Sequence, residues 1–515
     1  MKRIISVVFA LVWSAFSAPG VGLSLAPWFT DNLVLQRDIP VPVWGTASPG
    51  ERIIVTFAGQ RKTTLADPSG CWQVVLDPLP ASFAARTLTA EATDTLRLTN
   101  ILVGEVWLAA GQSNMEFPLS REAHASAELP VAANASLRLL NLSFAGQYLY
   151  AKPFGANELS RMTPEQFYSG TWCECSPASA KDFSAIAYFF GHELQPELHV
   201  PLGIIHLAVG GSPTEAWIRR AALAADPELG VMTRGNWLTN ATLDDWCRER
   251  GHQNFDAPLQ SGLAVPGDDL GPNHPFKPGF LWEAGPARLR PFAIRGVLWY
   301  QGESNSLEPR RVAQHEKLFP LLVRDWRAQW GQLRLPFLYC QLSSIGTNGG
   351  YKASCWPDFR DQQRRFLGAI PDTAMAVTSD LGHPTDVHPR NKRDVGHRLA
   401  LAALALVYGR EVEFSGPLIQ SVERRGDQVL VRFQHANGLK TTDGEPPNDF
   451  EVAGEDGQFF PAVAAIQGGV VVLTCPRVSR AVEARYAWQP FPTPVQNLVN
   501  AAGLPASTFR EAVSR

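Results

Sequence analysis

The segment from residue 104 to residue 115 constrains the fold of this chain more than any other. It reads GEVWLAAGQSNM, and its apolar run Val106–Ala110 ends abruptly in Gly-Gln-Ser-Asn at positions 111–114. A strand that ends in a glycine turn is typical of an open α/β sheet, which carries its chemistry at the carboxyl ends of its strands. The segment therefore predicts an α/β domain with Ser113 at the functional edge of the sheet.

A serine at that edge can act as a nucleophile if a base, an orienting acid and oxyanion donors lie beside it. Two later segments offer these groups: WYQGESN at 299–305, which ends another apolar run, and DVHP at 386–389. A serine after a glycine is more often part of a turn or a helix cap. The chain holds no complete Gly-x-Ser-x-Gly, which argues against the nucleophile elbow of the α/β-hydrolases.

The three segments together resemble the SGNH hydrolase superfamily, and within it the sialate O-acetylesterase family. Similar residues recur in FTDNLVLQR…VWGT at 29–46, in VGGSPTEAW at 209–217, and in the C-terminal RYAW…NL…GLP at 485–505. The resemblance thus covers nearly all of the chain after its first 18 residues. It implies a flavodoxin-like, three-layer α/β catalytic domain and a serine esterase that needs no cofactor and no metal.

The resemblance also implies the catalytic roles. Ser113 is the expected nucleophile, His388 the general base and Asp386 the acid that orients it. His388 is preferred to His383 because Asp-x-His-Pro matches the last block of the family. The superfamily often places its acid three residues before the histidine, whereas Asp386 precedes His388 by two. Asp380 and Glu303 therefore stay open as alternative partners of the base.

The oxyanion of the tetrahedral intermediate needs hydrogen-bond donors. The expected donors are the backbone N–H of Ser113, the backbone N–H of Gly211 and the side-chain amide of Asn305. Gly210 is nearly as good a candidate as Gly211, since both follow a predicted strand. The segment around Asn305 departs from the Gly-x-Asn-Asp that is usual in the superfamily, so Gln301 is a further candidate.

The order of strand and helix patterns predicts the domain organisation. Residues 24–98 carry short β-rich runs and turns, which indicate an N-terminal β-sandwich-like domain. Residues 99–411 alternate strands and helices and form the predicted esterase domain, with an insertion at 228–290. Helices are expected at 184–195, at 311–330 and from about Asn391 onward. Residues 412–515 return to a β-rich pattern.

Composition and the first residues bear on compartment and partners. The net charge of −3 is spread along the chain and gives no reason to expect a nucleic-acid partner. Lys2 and Arg3 precede an apolar run, so residues 1–18 are expected to be a signal peptide. This predicts export to the periplasm or the extracellular space, or a lysosomal or secreted location in a eukaryote, with no membrane attachment after cleavage. The oligomeric state stays open.

The seven cysteines bear on disulfide pairing and on metal binding. Their odd number leaves at least one unpaired within the chain, and the sequence does not define any pairing. The closely spaced pair Cys173 and Cys175 lacks the usual zinc-ligand spacing and has no matching second pair, so no metal site is expected.

The expected substrate is an O-acetylated sugar, and the resemblance alone points to acetylated sialic acid. An acetylesterase acting on plant polysaccharide such as xylan is the alternative enzyme. An inactive carbohydrate-binding relative is the alternative from another class, and the intact Ser113, Asp386 and His388 argue against it. A sialic acid substrate predicts an accessible cation near Ser113, because its carboxylate needs a partner. Arg161 is one example of such a cation, and the sequence alone assigns none.

Overall fold

The computed structural model describes residues 22–347 and 350–514. The predicted signal peptide, residues 1–18, lies outside these described residues. Within the described ranges, no helix combines the length and the apolar character that a membrane span requires.

The N-terminal region is built from short strands with alternating burial. Strands β1, β3 and β6 form an antiparallel sheet, and β4, β5 and β7 form an antiparallel ladder that continues into β8. Ile53, Val55 and Phe57 of β4 point into the core at every second position. The strands are β1 (Ser24–Leu25), β2 (Val34–Gln36), β3 (Val41–Thr46), β4 (Arg52–Phe57), β5 (Gln60–Leu65), β6 (Cys71–Leu76), β7 (Ser82–Glu91) and β8 (Thr95–Gly111).

Strand β8 belongs to both the N-terminal region and the catalytic sheet. It is 17 residues long, partly exposed over 95–100 and completely buried from Ile101 to Gly111. Its first part pairs antiparallel with β7, and its second part runs parallel to strands of the central sheet. The predicted boundary between residues 98 and 99 therefore falls inside one continuous strand.

The central sheet has the order β12-β9-β13-β8-β16-β17-β18. All neighbours on this path are parallel except the edge strand β12. The strands of this region are β9 (Asn134–Asn141), β10 (Ser143–Phe144), β11 (Tyr168–Ser169), β12 (Trp172–Cys175), β13 (Leu202–His206), β14 (Gly267–Asp268), β15 (Gly271–Pro272), β16 (Gly296–Tyr300), β17 (Phe337–Cys340) and β18 (Thr373–Ala376).

Helices cover both faces of the central sheet, so the predicted three-layer α/β class is confirmed. Val297 and Trp299 of β16 pack with residues of α10, whereas Leu298 and Tyr300 face α5 and α12. The helices are α1 (Ser113–Glu116), α2 (Ala125–Glu128), α3 (Ala156–Ser160), α4 (Pro177–Lys181), α5 (Ala185–Leu198), α6 (Arg220–Ala225), α7 (Asp245–Gln260), α8 (Phe280–Ala284), α9 (Pro286–Leu289), α10 (Pro309–Trp330), α11 (Trp356–Ala369) and α12 (Arg393–Leu406).

The segment predicted as an insertion, 228–290, holds α7, α8, α9 and the β14–β15 hairpin. Trp237 and Trp282 are buried in it, while Trp246 is partly exposed and stacks on Phe276 at 5.3 Å between ring centres. All seven cysteines lie in the described part of the chain, and each is unpaired there.

The C-terminal region forms two four-stranded antiparallel sheets around a core of its own. It contacts the catalytic region through Gln496, which donates to the Ser379 hydroxyl at 2.6 Å, and through the Ala487 carbonyl, which accepts from Arg360 at 3.0 Å. The strands are β19 (Leu418–Arg425), β20 (Gln428–Gln434), β21 (Lys440–Thr441), β22 (Phe450–Ala453), β23 (Phe459–Pro461), β24 (Val463–Gln467), β25 (Val470–Thr474), β26 (Glu483–Tyr486), β27 (Leu498–Val499) and β28 (Phe509–Ala512).

Candidate active site

Ser113 lies at the turn where β8 ends and α1 begins. Gly111 has φ +128°, and a Cβ there would lie 2.1 Å from the Tyr300 carbonyl oxygen, so only glycine fits. The next residue, Gln112, donates its backbone N–H to that same carbonyl at 2.8 Å. This turn places the serine hydroxyl at the carboxyl edge of the sheet, between β13 and β16.

The loop between β18 and α12 brings His388 to this serine. Its Nε2 lies 2.8 Å from Ser113 Oγ, and its ring stacks at 6.4 Å on Phe117. The other candidate, His383, instead accepts the backbone N–H of Asp386 on its Nδ1 at 3.0 Å. An unprotonated Nε2 can accept the serine proton, which assigns the ring proton to Nδ1.

Asp386 is the carboxylate that contacts the other ring nitrogen of His388, Nδ1. Its Oδ1 lies 3.4 Å from His388 Nδ1 and accepts the His388 backbone N–H at 2.8 Å. The side chain is 50% exposed, so solvent weakens its effect on the ring. Asp380, the alternative acid, is engaged by both terminal nitrogens of Arg398 at 2.7 Å.

The surroundings of His388 favour its neutral form. Burial lowers the pKa of the imidazole, the Lys392 cation lowers it further, and the Asp386 carboxylate acts in the opposite direction. A neutral imidazole is the form that can accept a proton. His388 can therefore accept a proton at a pH below the range in which a histidine ordinarily titrates.

Two backbone N–H groups are free to bind an oxyanion beside the serine. Within residues 22–347 and 350–514, neither the Ser113 N–H nor the Gly211 N–H has a hydrogen-bond partner. The N–H of Gly210, in contrast, donates to Glu116 Oε2 at 2.6 Å. Gly211 is held by Ser304, whose hydroxyl donates to its carbonyl at 2.8 Å. Of the two glycines, Gly211 is the one with an available donor.

Comparison with known proteins places this geometry in a family. Residues 282–405, which include Asp386 and His388, match the family model "Carbohydrate esterase, sialic acid-specific acetylesterase". The chain is 30% identical over 462 residues to the sialate O-acetylesterase of Homo sapiens, covering 84% of this chain and 80% of that protein. It is 28% identical over 551 residues to the mouse protein of the same name, covering 99% and 98%.

The chain belongs to the sialate O-acetylesterase family. A crystal structure of a carbohydrate acetylesterase from Xanthomonas citri is similar to it, with a TM-score of 0.76 and 34% identity over 95% of this chain and 99% of that one. The resemblance inferred from the sequence motifs is thereby confirmed.

Gln301 and Asn305, the side chains expected to be oxyanion donors, lie in a buried network in this member of the sialate O-acetylesterase family. Asn305 Nδ2 donates to Glu215 at 3.2 Å, and its Oδ1 accepts from Gln301 Nε2 at 2.6 Å. Thr214 donates its hydroxyl to Gln301 Oε1 at 2.6 Å. Glu215 pairs in turn with the buried Arg311 at 2.5 Å. The network fixes the turn after β16 and the loop that carries Gly211.

A second buried network lies under the Ser113–His388 pair, and the motifs did not predict it. Asn114 donates from Nδ2 to Glu303 Oε1 and, at 3.0 Å, to the Val387 carbonyl, while Lys392 donates to Asn114 Oδ1. Burial raises the pKa of Glu303 and lowers that of Lys392 to about 7. Glu303 was an alternative partner of the histidine. In the structure it contacts Asn114, and Asn114 in turn contacts the loop that carries His388. Lys392 was detectable only as a lysine four residues after His388.

Glu116 forms a third buried acidic site next to Gly210. Its carboxylate accepts the backbone N–H of Gly210, and it also accepts hydrogen bonds from the Tyr150 hydroxyl at 2.9 Å and from Gln147 at 3.1 Å. Burial raises the pKa of its carboxyl group. These contacts hold the loop 147–150 against the oxyanion side of the site.

The rim of the site differs on its two sides. Trp246 borders Gly211, since a Cβ on that glycine would lie 2.5 Å from the indole. On the histidine side, the exposed Arg121 lies over the Phe117 ring, with its guanidinium carbon 5.1 Å from the ring centre. Arg161, the cation named from sequence as an example, donates instead to the Ser169 hydroxyl at 3.3 Å.

Proposed function

We propose that this protein is a serine esterase that removes O-acetyl groups from sialic acids through an acyl-enzyme. The observation that carries the proposal is the 2.8 Å contact between Ser113 Oγ and His388 Nε2 beside the free N–H groups of Ser113 and Gly211. The named activities of the human and mouse relatives support sialic acid as the sugar, and that of the Xanthomonas citri neighbour supports an acetylated carbohydrate.

The first half-reaction forms the acyl-enzyme. His388 Nε2 takes the Ser113 proton as Oγ attacks the acetyl carbonyl carbon. The negative charge that develops on the carbonyl oxygen is stabilised by the N–H groups of Ser113 and Gly211, and each such donor contributes about 3 kcal/mol. The intermediate collapses when the imidazolium gives its proton to the departing sugar oxygen, which leaves acetyl-Ser113 and the free alcohol.

The second half-reaction reverses these roles with water. His388 removes a proton from a water molecule, which attacks the acetyl carbonyl, and the same N–H groups bind the second oxyanion. Collapse returns the proton to Ser113 Oγ and releases acetate. Asp386 holds the imidazole in the tautomer that both steps need. Every proton is carried by Ser113, His388, the sugar or water.

The surrounding regions have supporting roles in this proposal. Residues 99–411 carry every group of the reaction, while 24–98 and 412–515 flank them. The basic and apolar pattern of residues 1–18 supports export of the protein.

Acetate release from O-acetylated sialic acid and from acetylated xylan, compared at equal acetyl concentration, tests the substrate. We expect kcat/KM to favour the sialic acid. Ser113→Ala should lower kcat by about 10⁴–10⁶, because removal of a triad nucleophile has effects of this size. A higher kcat/KM on xylan would mean that the substrate is an acetylated polysaccharide. Full activity of Ser113→Ala would show that Ser113 is not the nucleophile.

A further inference from the structure

We propose that the guanidinium of Arg121 binds the carboxylate of the sugar acid and thereby selects sialic acid over neutral acetylated sugars. This inference rests on the proposed function, since it names the group that recognises the substrate at the same site. It concerns specificity and assigns Arg121 no part in the chemical step.

The position of Arg121 supports this role. Its guanidinium carbon lies 5.1 Å from the centre of the Phe117 ring, and the His388 ring stacks on the same phenylalanine at 6.4 Å. The Arg121 charge acts on the pKa of His388, after the larger effects of burial, Lys392 and Asp386. Arg121 and His388 thus have Phe117 as a common neighbour, which puts the guanidinium on the histidine side of the site.

The guanidinium is available to a ligand. Arg121 is exposed, and no carboxylate or hydrogen-bond acceptor engages its guanidinium among residues 22–347 and 350–514. Its backbone is fixed by contrast, because its carbonyl accepts from Arg390 Nε at 2.9 Å and its N–H donates to the Pro118 carbonyl at 3.1 Å. A positioned arginine with free donors matches the two oxygens of a carboxylate.

A second cation near the serine, Lys392, does not fit this role. Lys392 is fully buried and donates to Asn114, so a sugar in the cleft cannot reach it. In the loop 147–150, Tyr148 is 60% exposed and offers a face on which a sugar can stack.

The test compares O-acetylated sialic acid with its carboxamide analogue, in which the carboxylate is neutral. Wild-type enzyme should show a higher kcat/KM on the carboxylate by about tenfold, the size expected for a charge-assisted pair open to solvent. In Arg121→Gln this ratio should fall to near one, and Arg121→Lys should restore part of it. Arg161→Gln removes an arginine whose guanidinium is bonded to the Ser169 hydroxyl; it is the matched control and should keep the wild-type ratio.

The outcomes separate this proposal from the proposed function. If wild-type enzyme prefers the carboxylate and Arg121→Gln keeps that preference, Arg121 is not the recognising group, while the sialate assignment stands. The same conclusion follows if Arg161→Gln loses the ratio to the same extent. If wild-type enzyme hydrolyses acetylated xylan and not acetylated sialic acid, the proposed function fails first, and the role of Arg121 fails with it.

Discussion

Lys392 and Glu303 lie on opposite sides of one amide group, that of Asn114, which accepts from the lysine and donates to the carboxylate. The same amide donates to the carbonyl of Val387, the residue before His388. The residue after Ser113 is thus bonded directly to the loop that carries His388. Since all three members are buried, the arrangement fixes the distance between Ser113 and His388 without help from solvent.

His388→Ala should lower kcat on any acetyl ester by about 10⁴–10⁶, because the serine loses the group that takes its proton. His383→Ala should stay within a few-fold of wild type, since its ring contacts the backbone of Asp386 and not Ser113. Steady-state kinetics on both purified variants check this. The assignment of the base is wrong if the two variants show the opposite order.

Asp386→Asn should lower kcat/KM by only about 10–100-fold, well below the loss of about 10⁴ found when a buried triad acid is replaced. The carboxylate is half exposed and 3.4 Å from His388 Nδ1, so its electrostatic contribution is screened. The matched variant Asp380→Asn should instead lower the free energy of unfolding by about 1–3 kcal/mol, because it weakens the paired contacts with Arg398.

Kinetics and thermal unfolding of both aspartate variants separate these effects. A loss of activity in Asp380→Asn larger than that in Asp386→Asn would make Asp380 the supporting acid.

The acidic limb of kcat/KM should lie below 6.5, the ordinary pKa of histidine, because burial lowers the pKa of His388. The neutral form is active, so the rate is retained above this lowered pKa and falls as the pH drops through it. Asp386→Asn removes a group that raises the pKa and should move the limb to lower pH. The double variant Lys392→Met with Glu303→Gln removes the cation without leaving a buried carboxylate unpaired, and should move the limb upward. Opposite shifts would show that these charges do not act on the base.

Gly211→Ala should lower kcat by about 100-fold or more, since a displaced N–H no longer binds the oxyanion. Gly211 has φ +72°, and an added Cβ would collide with Trp246 at 2.5 Å and Phe276 at 2.9 Å. Gly235→Ala is the matched control: its φ is +65°, and no atom lies within 4 Å of the added Cβ. That variant bears the same backbone strain of about 1–2 kcal/mol without the collision.

Pre-steady-state acylation rates on Gly211→Ala and Gly235→Ala isolate the chemical step. Equal slowing in both variants would mean that backbone strain, and not the position of the oxyanion donor, accounts for the loss.

Much of the fold was predictable because the central strands are short apolar runs. The runs ending at Ala110 and Tyr300 correspond to β8 and β16, and the predicted helix 311–330 corresponds to α10 (Pro309–Trp330). The boundary at residue 98 was not derivable in the same way. Alternating burial over 95–100 and continuous burial afterwards look like two elements in sequence, although the backbone runs straight through both.

The candidate site was predictable where the chemistry is concentrated in a motif and not where it depends on spatial neighbours. Ser113 directly follows an apolar run and His388 stands in the short motif Asp-x-His-Pro, and the structure brings them together at 2.8 Å. Arg121 and Lys392 carry no such signal, because an isolated cation has the same local sequence whether it is buried, exposed or beside a nucleophile. Only the folded chain shows that the N–H of Gly210 has a hydrogen-bond partner, whereas the N–H of Gly211 has none among residues 22–347 and 350–514.

The continuity of β8 bears on how this enzyme can be divided. A fragment starting at residue 99 would lose β2 and β7, and the backbone groups of residues 101–104 would lose the ladder partners that these strands supply. Unpaired backbone groups at an exposed strand edge favour association between chains. We therefore expect the catalytic region to aggregate when it is produced without residues 24–98, so that the N-terminal strands set the smallest soluble form of the enzyme.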